Sequence, residues 1–257
     1  MHNVQQKRMA KISILMSCLW ISVNGFAQDY TEFSTHSFLS ANDTLPYRLL
    51  APETMISGQT YPLVVFLHGS GERGNDNQLN LKYITDLFLS AENKENFPAF
   101  VLVPQCPKQE RWAPGDWYAK ISPPAETVIS LIDSLVSNHA IDKGRIYLMG
   151  LSMGGFGTWY MLTRFPDKFA AAIPICGGGD WSQASTIAHI PVWVFHGKKD
   201  EIVLPDQSRA MVKALKKVGG DPRYTEYKKI GHDSWIKAFQ EPELLSWLFS
   251  KKTFISP

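Results

Sequence analysis

The stretch from Arg145 to Phe165 constrains this chain more than any other: Arg-Ile-Tyr-Leu-Met-Gly-Leu-Ser-Met-Gly-Gly-Phe-Gly-Thr-Trp-Tyr-Met-Leu-Thr-Arg-Phe. Ile146 to Met149 is a short apolar run that reads as a buried strand. Gly150-Leu151-Ser152-Met153-Gly154 turns sharply, and a helical run follows. A serine at the apex of such a turn sits against neighbouring backbone, so its flanking positions must be small. The same turn aims the Met153 N–H to the side where an oxyanion would form. A bare G-x-S-x-G is a weak signal, and a strand-to-helix turn with an incidental serine is the competing reading. The strand before and the helix after favour Ser152 as a nucleophile.

At 257 residues the chain is long enough for one domain with a large core. The formal charge of +2, with no basic run or basic helix face, implies no nucleic-acid partner. The N-terminus reads as a signal peptide. Lys7, Arg8 and Lys11 are basic, Ile12 to Val23 is apolar, and Gly25-Phe26-Ala27 supplies small residues for cleavage after Ala27. The expectation is export to the periplasm or beyond, with residues 28–257 as one catalytic domain. The apolar run is too short for a comfortable membrane span. Lipidation at Cys18, in Leu15-Met16-Ser17-Cys18, is the alternative.

Taken in order, Thr31–Ser40 and Leu45–Ala51 read as paired strands around a turn at Ala41-Asn42-Asp43-Thr44. Pro62–Leu67, Ala99–Val103, Phe169–Cys176 and Pro191–Phe195 are apolar runs of the kind buried in parallel sheets. Helices are expected over Leu79–Ser90, Ala125–His139, Pro205–Val218 and Ser234–Phe249, and a last strand over Arg223–Ile230. Alternating strands and helices mean a mainly parallel α/β sheet with an antiparallel edge. Ligands bind beyond the carboxyl ends of such strands, where the glycine and histidine clusters lie.

A serine needs a base within hydrogen-bond reach. His232 follows the last strand in Gly231-His232-Asp233-Ser234-Trp235 and fits best, while His68 and His196 read as buried, structurally bonded imidazoles. Asp200, directly off the preceding strand, is the expected orienting acid. Glu201 and Asp206 are runners-up, and Asp233 lies too close in sequence to bond well. The second oxyanion donor is the N–H of Gly69 or Ser70. Gly69–Gly74 also spells G-x-G-x-x-G, but Asn75-Asp76-Asn77 continues the loop where a dinucleotide site needs a helix. Glu72 and Arg73 read as an ion pair or loop anchors, and Arg73 could touch an anionic substrate. No cofactor is expected, and no metal: neither H-x-x-x-H nor C-x-x-C spacing occurs. Two strands should separate those carrying Cys106 and Cys176 by on the order of 14 Å, too far for a disulfide, so two free thiols are expected.

With these parts placed, the chain resembles the secreted esterase branch of the α/β-hydrolases. That group relates to dienelactone hydrolases, prolyl oligopeptidases and the first family of carbohydrate esterases, the acetylxylan and feruloyl esterases. The shared words are Leu67-His68-Gly69-Ser70-Gly71-Glu72-Arg73-Gly74, Gly150-Leu151-Ser152-Met153-Gly154-Gly155, Pro174-Ile175-Cys176-Gly177-Gly178-Gly179-Asp180, Phe195-His196-Gly197-Lys198-Lys199-Asp200 and Gly231-His232-Asp233-Ser234-Trp235. The resemblance implies a mainly parallel eight-stranded sheet with helices on both faces. It implies Ser152, Asp200 and His232 as the triad, and a carboxylic-ester hydrolase acting on acyl groups of plant polysaccharide. A general carboxylesterase, a secreted serine peptidase and a non-catalytic glycan-binding scaffold are the alternatives. The proline-rich connection from Pro104 to Pro124 carries Trp112, Trp117 and Tyr118. With Trp181 and Trp235, Trp112 and Trp117 are the candidate walls of an acyl or sugar subsite, and core packing is the competing role.

Overall fold

A computed structural model describes residues 30–40, 44–117 and 120–253. The expected signal segment, Ala41–Asp43 of the expected first turn, and Tyr118 lie outside the described residues. Eight strands form one sheet: β1 (Ser34–Leu39), β2 (Thr44–Leu50), β3 (Tyr61–Leu67), β4 (Phe100–Pro104), β5 (Ile141–Leu151), β6 (Ala171–Ile175), β7 (Trp193–Gly197) and β8 (Arg223–Tyr227). Their spatial order is β1-β2-β4-β3-β5-β6-β7-β8. The β1–β2 and β2–β4 pairs are antiparallel and the remainder parallel.

The central strands are apolar throughout because both faces are covered. Leu63, Val65 and Leu67 of β3 join one core layer, and Val64 and Phe66 the other. The helices are α1 (Thr85–Leu89), α2 (Ala91–Asn96), α3 (Pro123–Asn138), α4 (Met153–Arg164), α5 (Asp206–Lys217), α6 (Trp235–Ala238) and α7 (Leu244–Phe249). The buried sides of α3, α4 and α5 fill the first layer; those of α1, α6 and α7 fill the second. No helix among the described residues is long and apolar enough to cross a membrane.

Two expected helices are broken. The C-terminal one stops at Ala238 and restarts at Leu244. Pro242 lies between them, and proline removes a helix N–H and restricts the residue before it. The Leu79–Ser90 run is a 3-10 turn (Leu79–Leu81) followed by the short α1. There buried Asn80 donates its amide to the Val103 carbonyl at 2.7 Å, tying the first turn to the sheet.

The topology opens the site. β3 and β5 are neighbours, yet the chain leaves β3 toward β4 on one side and β5 toward β6 on the other. That divergence leaves a crevice at the carboxyl ends of the two strands. Leu67-His68-Gly69-Ser70 and Leu151-Ser152-Met153 sit at its two lips. Cys106 and Cys176 are buried free thiols, with β3 and β5 between the strands that precede them.

Candidate active site

Ser152 stands between β5 and α4 with φ of 51° and ψ of −113°. A positive φ at a residue with a Cβ costs on the order of 1–3 kcal/mol and persists only where surroundings over-determine it. Here they do. The Ser152 N–H donates to the Ile175 carbonyl of β6 at 2.9 Å, and the Ser152 carbonyl accepts from the Phe156 N–H at 3.0 Å. A Cβ on Gly150 would lie 2.2 Å from the Gly154 carbonyl oxygen, and one on Gly154 would lie 1.9 Å from that of Leu67. Both glycines are therefore required by close approach. The first-turn amides of α4 have no intrahelical acceptor and face Ser152 with the positive end of the helix dipole.

His232 reaches Ser152 from the loop after β8. Its Nε2 is 2.9 Å from Ser152 Oγ, and its Nδ1 is 2.8 Å from Asp200 Oδ2. A carboxylate only accepts, so Nδ1 carries the proton and Nε2 is left to accept from the serine hydroxyl. Asp200 is buried, and its Oδ1 accepts from the Ile202 and Val203 N–H groups, both at 2.9 Å. Those two bonds fix the carboxylate so that Oδ2 faces the imidazole. Asp206 is engaged with Arg209, and Glu201 and Asp233 are exposed; none of the three bonds to His232.

The other two strand-end histidines are structural. His68 Nδ1 donates to the Gly69 carbonyl at 2.6 Å, and Nε2 accepts from the Cys106 N–H at 3.0 Å. Burial, the largest influence on it, holds its pKa down at about 4. His196 lies beneath Asp200, with Nε2 3.2 Å from Asp200 Oδ2 and 2.8 Å from the Val203 carbonyl. Burial lowers its pKa as well.

Gly69 is extended and Ser70 opens a 3-10 turn, Ser70–Glu72, in place of an α-helix within the glycine-rich motif. A Cβ on Gly69 would come within 3.8 Å of the Ser152 Cβ, so this backbone lies directly beside the serine. Glu72 and Arg73 form no ion pair. Glu72 is buried, and that burial raises the pKa of its carboxyl against the opposing, lowering influence of Lys82. Arg73 anchors the loop, donating from Nε to the Ser70 carbonyl at 3.0 Å and from Nη1 to the Glu110 carbonyl at 3.3 Å.

Ligand-type atoms of Cys176, Asp200 and His232 fall within 4.8 Å of one another. They suit a cation poorly. Both Asp200 oxygens and both His232 nitrogens are already bonded, and burial pushes the Cys176 thiol up to about 12.

The profile of the prolyl oligopeptidase family matches residues 122–193, from the approach to α3 to the start of β7. A solved thermostable esterase is 40% identical, with a TM-score of 0.82, over 87% of this chain and 64% of its own. The chain has the α/β-hydrolase fold. It is also 35% identical over 124 residues to poly(3-hydroxyalkanoate) depolymerase C of Paucimonas lemoignei, covering 46% of this chain and 28% of the relative. A bifunctional acetylxylan esterase/xylanase of Neocallimastix patriciarum is 26% identical over 154 residues, 59% of this chain and 21% of the relative. The chain thus spans between 21% and 28% of the length of these two relatives.

A cleft of about 420 Å³ opens beside Ser152, walled by Ser70, Met153, Phe156, Trp117, Arg73 and Arg111 among others. Of the four tryptophans expected there, Trp117 alone lines it. Trp117 is half-buried, its ring edge-on to Tyr160 at 5.4 Å. Trp112 is instead fully buried in the core, with its Nε1 donating to the His68 carbonyl at 3.0 Å. Gly157 of α4 makes room for it: a Cβ there would lie 2.4 Å from that of Trp112. Trp181 is 63% exposed on the 3-10 segment after β6 and lies off the cleft. Trp235 stands perpendicular to the His232 ring at 5.5 Å and faces a separate groove with Tyr83, so it backs the imidazole. Arg111 and Phe156 escaped sequence reasoning. Phe156 is one helical turn past Ser152, a spacing that could have flagged it. Arg111 sits in an aperiodic connection that offers no such signal.

Proposed function

We propose that this α/β-hydrolase is a serine carboxylic-ester hydrolase working through an acyl-enzyme. The carrying observation is the Asp200–His232–Ser152 chain of hydrogen bonds, at 2.8 and 2.9 Å, on a positive-φ elbow at a cleft. In this reading Ser152 Oγ attacks the ester carbonyl carbon while its proton passes to His232 Nε2. Asp200 holds the imidazole and stabilises the imidazolium. The oxyanion meets the N–H of Met153 and that of Gly69 or Ser70. Collapse expels the alcohol, which takes the proton from His232. Water then repeats the sequence on the acyl-enzyme and releases the acid.

The substrate class we favour is acyl groups carried by plant polysaccharide, feruloyl or acetyl. The acetylxylan esterase domain named in one relative and the aromatic wall of Trp117 and Phe156 support it. Export supports it too, with cleavage after Ala27 giving a mature chain of 23 basic against 24 acidic residues. Methyl ferulate, acetylated xylan and p-nitrophenyl acetate test the class, alongside an aminoacyl amide for the peptidase alternative. Ser152→Ala should cut ester turnover by roughly ten-thousandfold or more. Mass spectrometry should find the trapped acyl group on Ser152 in the wild type. A wild type inert toward all short esters would favour a binding scaffold. Amide turnover above ester turnover would favour a peptidase.

A further inference from the structure

Arg73 and Arg111 bring two guanidinium groups to the cleft beside Ser152, and among the described residues no Asp or Glu side chain lines it. Arg73 is half-buried and held in place by two backbone carbonyls, Ser70 and Glu110. Those bonds use two of its five N–H donors and leave the remainder of the fork for a ligand. Arg111 has an exposed side chain on a fixed backbone, its carbonyl accepting from Ser122 Oγ at 2.6 Å. Among the described residues neither arginine has a carboxylate within ion-pair distance. The nearby acids are turned elsewhere. Glu72 is buried toward Gly69 and under the influence of Lys82. Asp76 is spent on the Gln78 and Leu79 amides and Gln105. Glu110 and Glu126 line the adjoining groove on the far side of Arg111, in company with Lys120.

We infer that Arg73 and Arg111 select an ester that carries a carboxylate a few atoms from the scissile bond. This rests on the esterase reading and narrows its substrate class. Two guanidinium groups offer planar, paired donors that match a carboxylate, and no internal anion competes for them. Trp117, Phe156 and Met153 form the apolar side of the same cleft, so the substrate it suits is amphipathic: an apolar body next to the ester and a carboxylate at the Arg73–Arg111 end. The carboxylate belongs either to the acyl group, as in a hemiester of a dicarboxylic acid, or to the alcohol, as in a uronate or hydroxy acid.

Two pairs of esters separate these sources. For the acyl side they are p-nitrophenyl hemiglutarate and its neutral counterpart p-nitrophenyl valerate. For the alcohol side they are 4-butyryloxybenzoate and 4-butyryloxybenzamide. The wild type should favour the anionic member of one pair in kcat/KM by roughly fivefold to thirtyfold, the range for a charge-assisted contact discounted for partial exposure. Arg111→Gln should bring that ratio down toward one, Arg111→Lys should restore part of it, and Arg111→Glu should invert it. Raising the salt to about 0.5 M should shrink the ratio, since screening then acts over a few ångströms. A ratio at or below one in both pairs for the wild type overturns the inference while leaving the esterase reading intact. So does a ratio that survives both Arg111→Gln and Arg111→Glu. Failure of the esterase reading looks different, because no ester of either pair is turned over. Calorimetric binding of the intact hemiester to Ser152→Ala, weakened by Arg111→Glu, then still reads the anion preference.

Discussion

The elbow at Gly150–Gly154 and the connection from Gln105 to Ser122 face the same cleft, and they are held in opposite ways. The elbow is clamped by backbone. Its N–H bonds to β6, its first helical turn bonds back to Ser152, and its glycines sit within about 2 Å of carbonyl oxygens if given a side chain. The described residues of the connection form no strand or helix. It is held by scattered polar ties, among them Cys106 N–H to His68, Trp112 Nε1 to the His68 carbonyl, Arg73 to the Glu110 carbonyl and Arg164 to the Trp117 carbonyl. Geometry that must be exact for bond-making is built into the sheet, where each residue has many constraints. Geometry that chooses among substrates is carried by a loop with few, which can change without disturbing the chemistry.

The sharpest way to break this contrast is at Gly154. A methyl 1.9 Å from the Leu67 carbonyl cannot be absorbed by a side-chain shift, because both partners are backbone. Gly154→Ala should cost at least about 4 kcal/mol and yield little folded protein. A stable Gly154→Ala with a normal urea midpoint would mean the elbow is not rigid.

Next comes Trp112, the largest side chain that the connection buries in the core. Trp112→Ala should lower stability by about 3–5 kcal/mol in denaturant titrations. A loss of under about 1 kcal/mol would show the connection to be independent of the core.

The His68 junction adds a pH test. Its imidazole has a pKa of about 4 when folded against 6.5 unexposed to these contacts, chiefly through burial. Between those values the unfolded state binds more protons, so stability is complete above pH 6.5 and is lost as pH falls toward 4. By pH 5 the loss from this group is about 2 kcal/mol. The drop in urea stability from pH 7 to pH 5 should therefore be smaller in His68→Gln than in the wild type. Equal drops would remove His68 from the account.

The smallest effect belongs to Trp117. It is half-buried at the cleft mouth, so Trp117→Ala should change stability by about 1 kcal/mol or less. KM for aryl esters should rise severalfold with kcat nearly unchanged. Unchanged KM across aryl and alkyl esters would leave the cleft without an aromatic contact from the loop.

Much of the molecule was readable before any coordinates. The apolar runs at Pro62–Leu67 and Ile146–Met149 mark buried parallel strands because only a sheet covered on both faces tolerates them. The glycines around Ser152 mark close backbone approach. His232 on the last strand's loop and Asp200 on the preceding one were expected from their places after strand ends, and the two side chains meet there. The breaks at Pro242 and at Asn80 were harder to see: each follows one residue overriding helical periodicity, Pro242 by its missing N–H and Asn80 by a bond to Val103.

The tryptophans show where sequence runs out. Trp112 and Trp117 are five residues apart in one connection, and nothing local distinguishes them. One is swallowed by the core because Gly157 of α4 leaves room for its ring, while the other meets Tyr160 edge-on at the cleft. Arg111 meets Arg73 only because the Glu110 carbonyl holds the connection against the loop after β3. Sequence by itself determined a serine on a tight strand-to-helix turn and an aspartate and a histidine on later strand-end loops, since backbone sterics and periodicity are local properties. Which side chains line the cleft, and with what charge, was decided only in tertiary structure, because it depends on contacts between segments some forty residues apart.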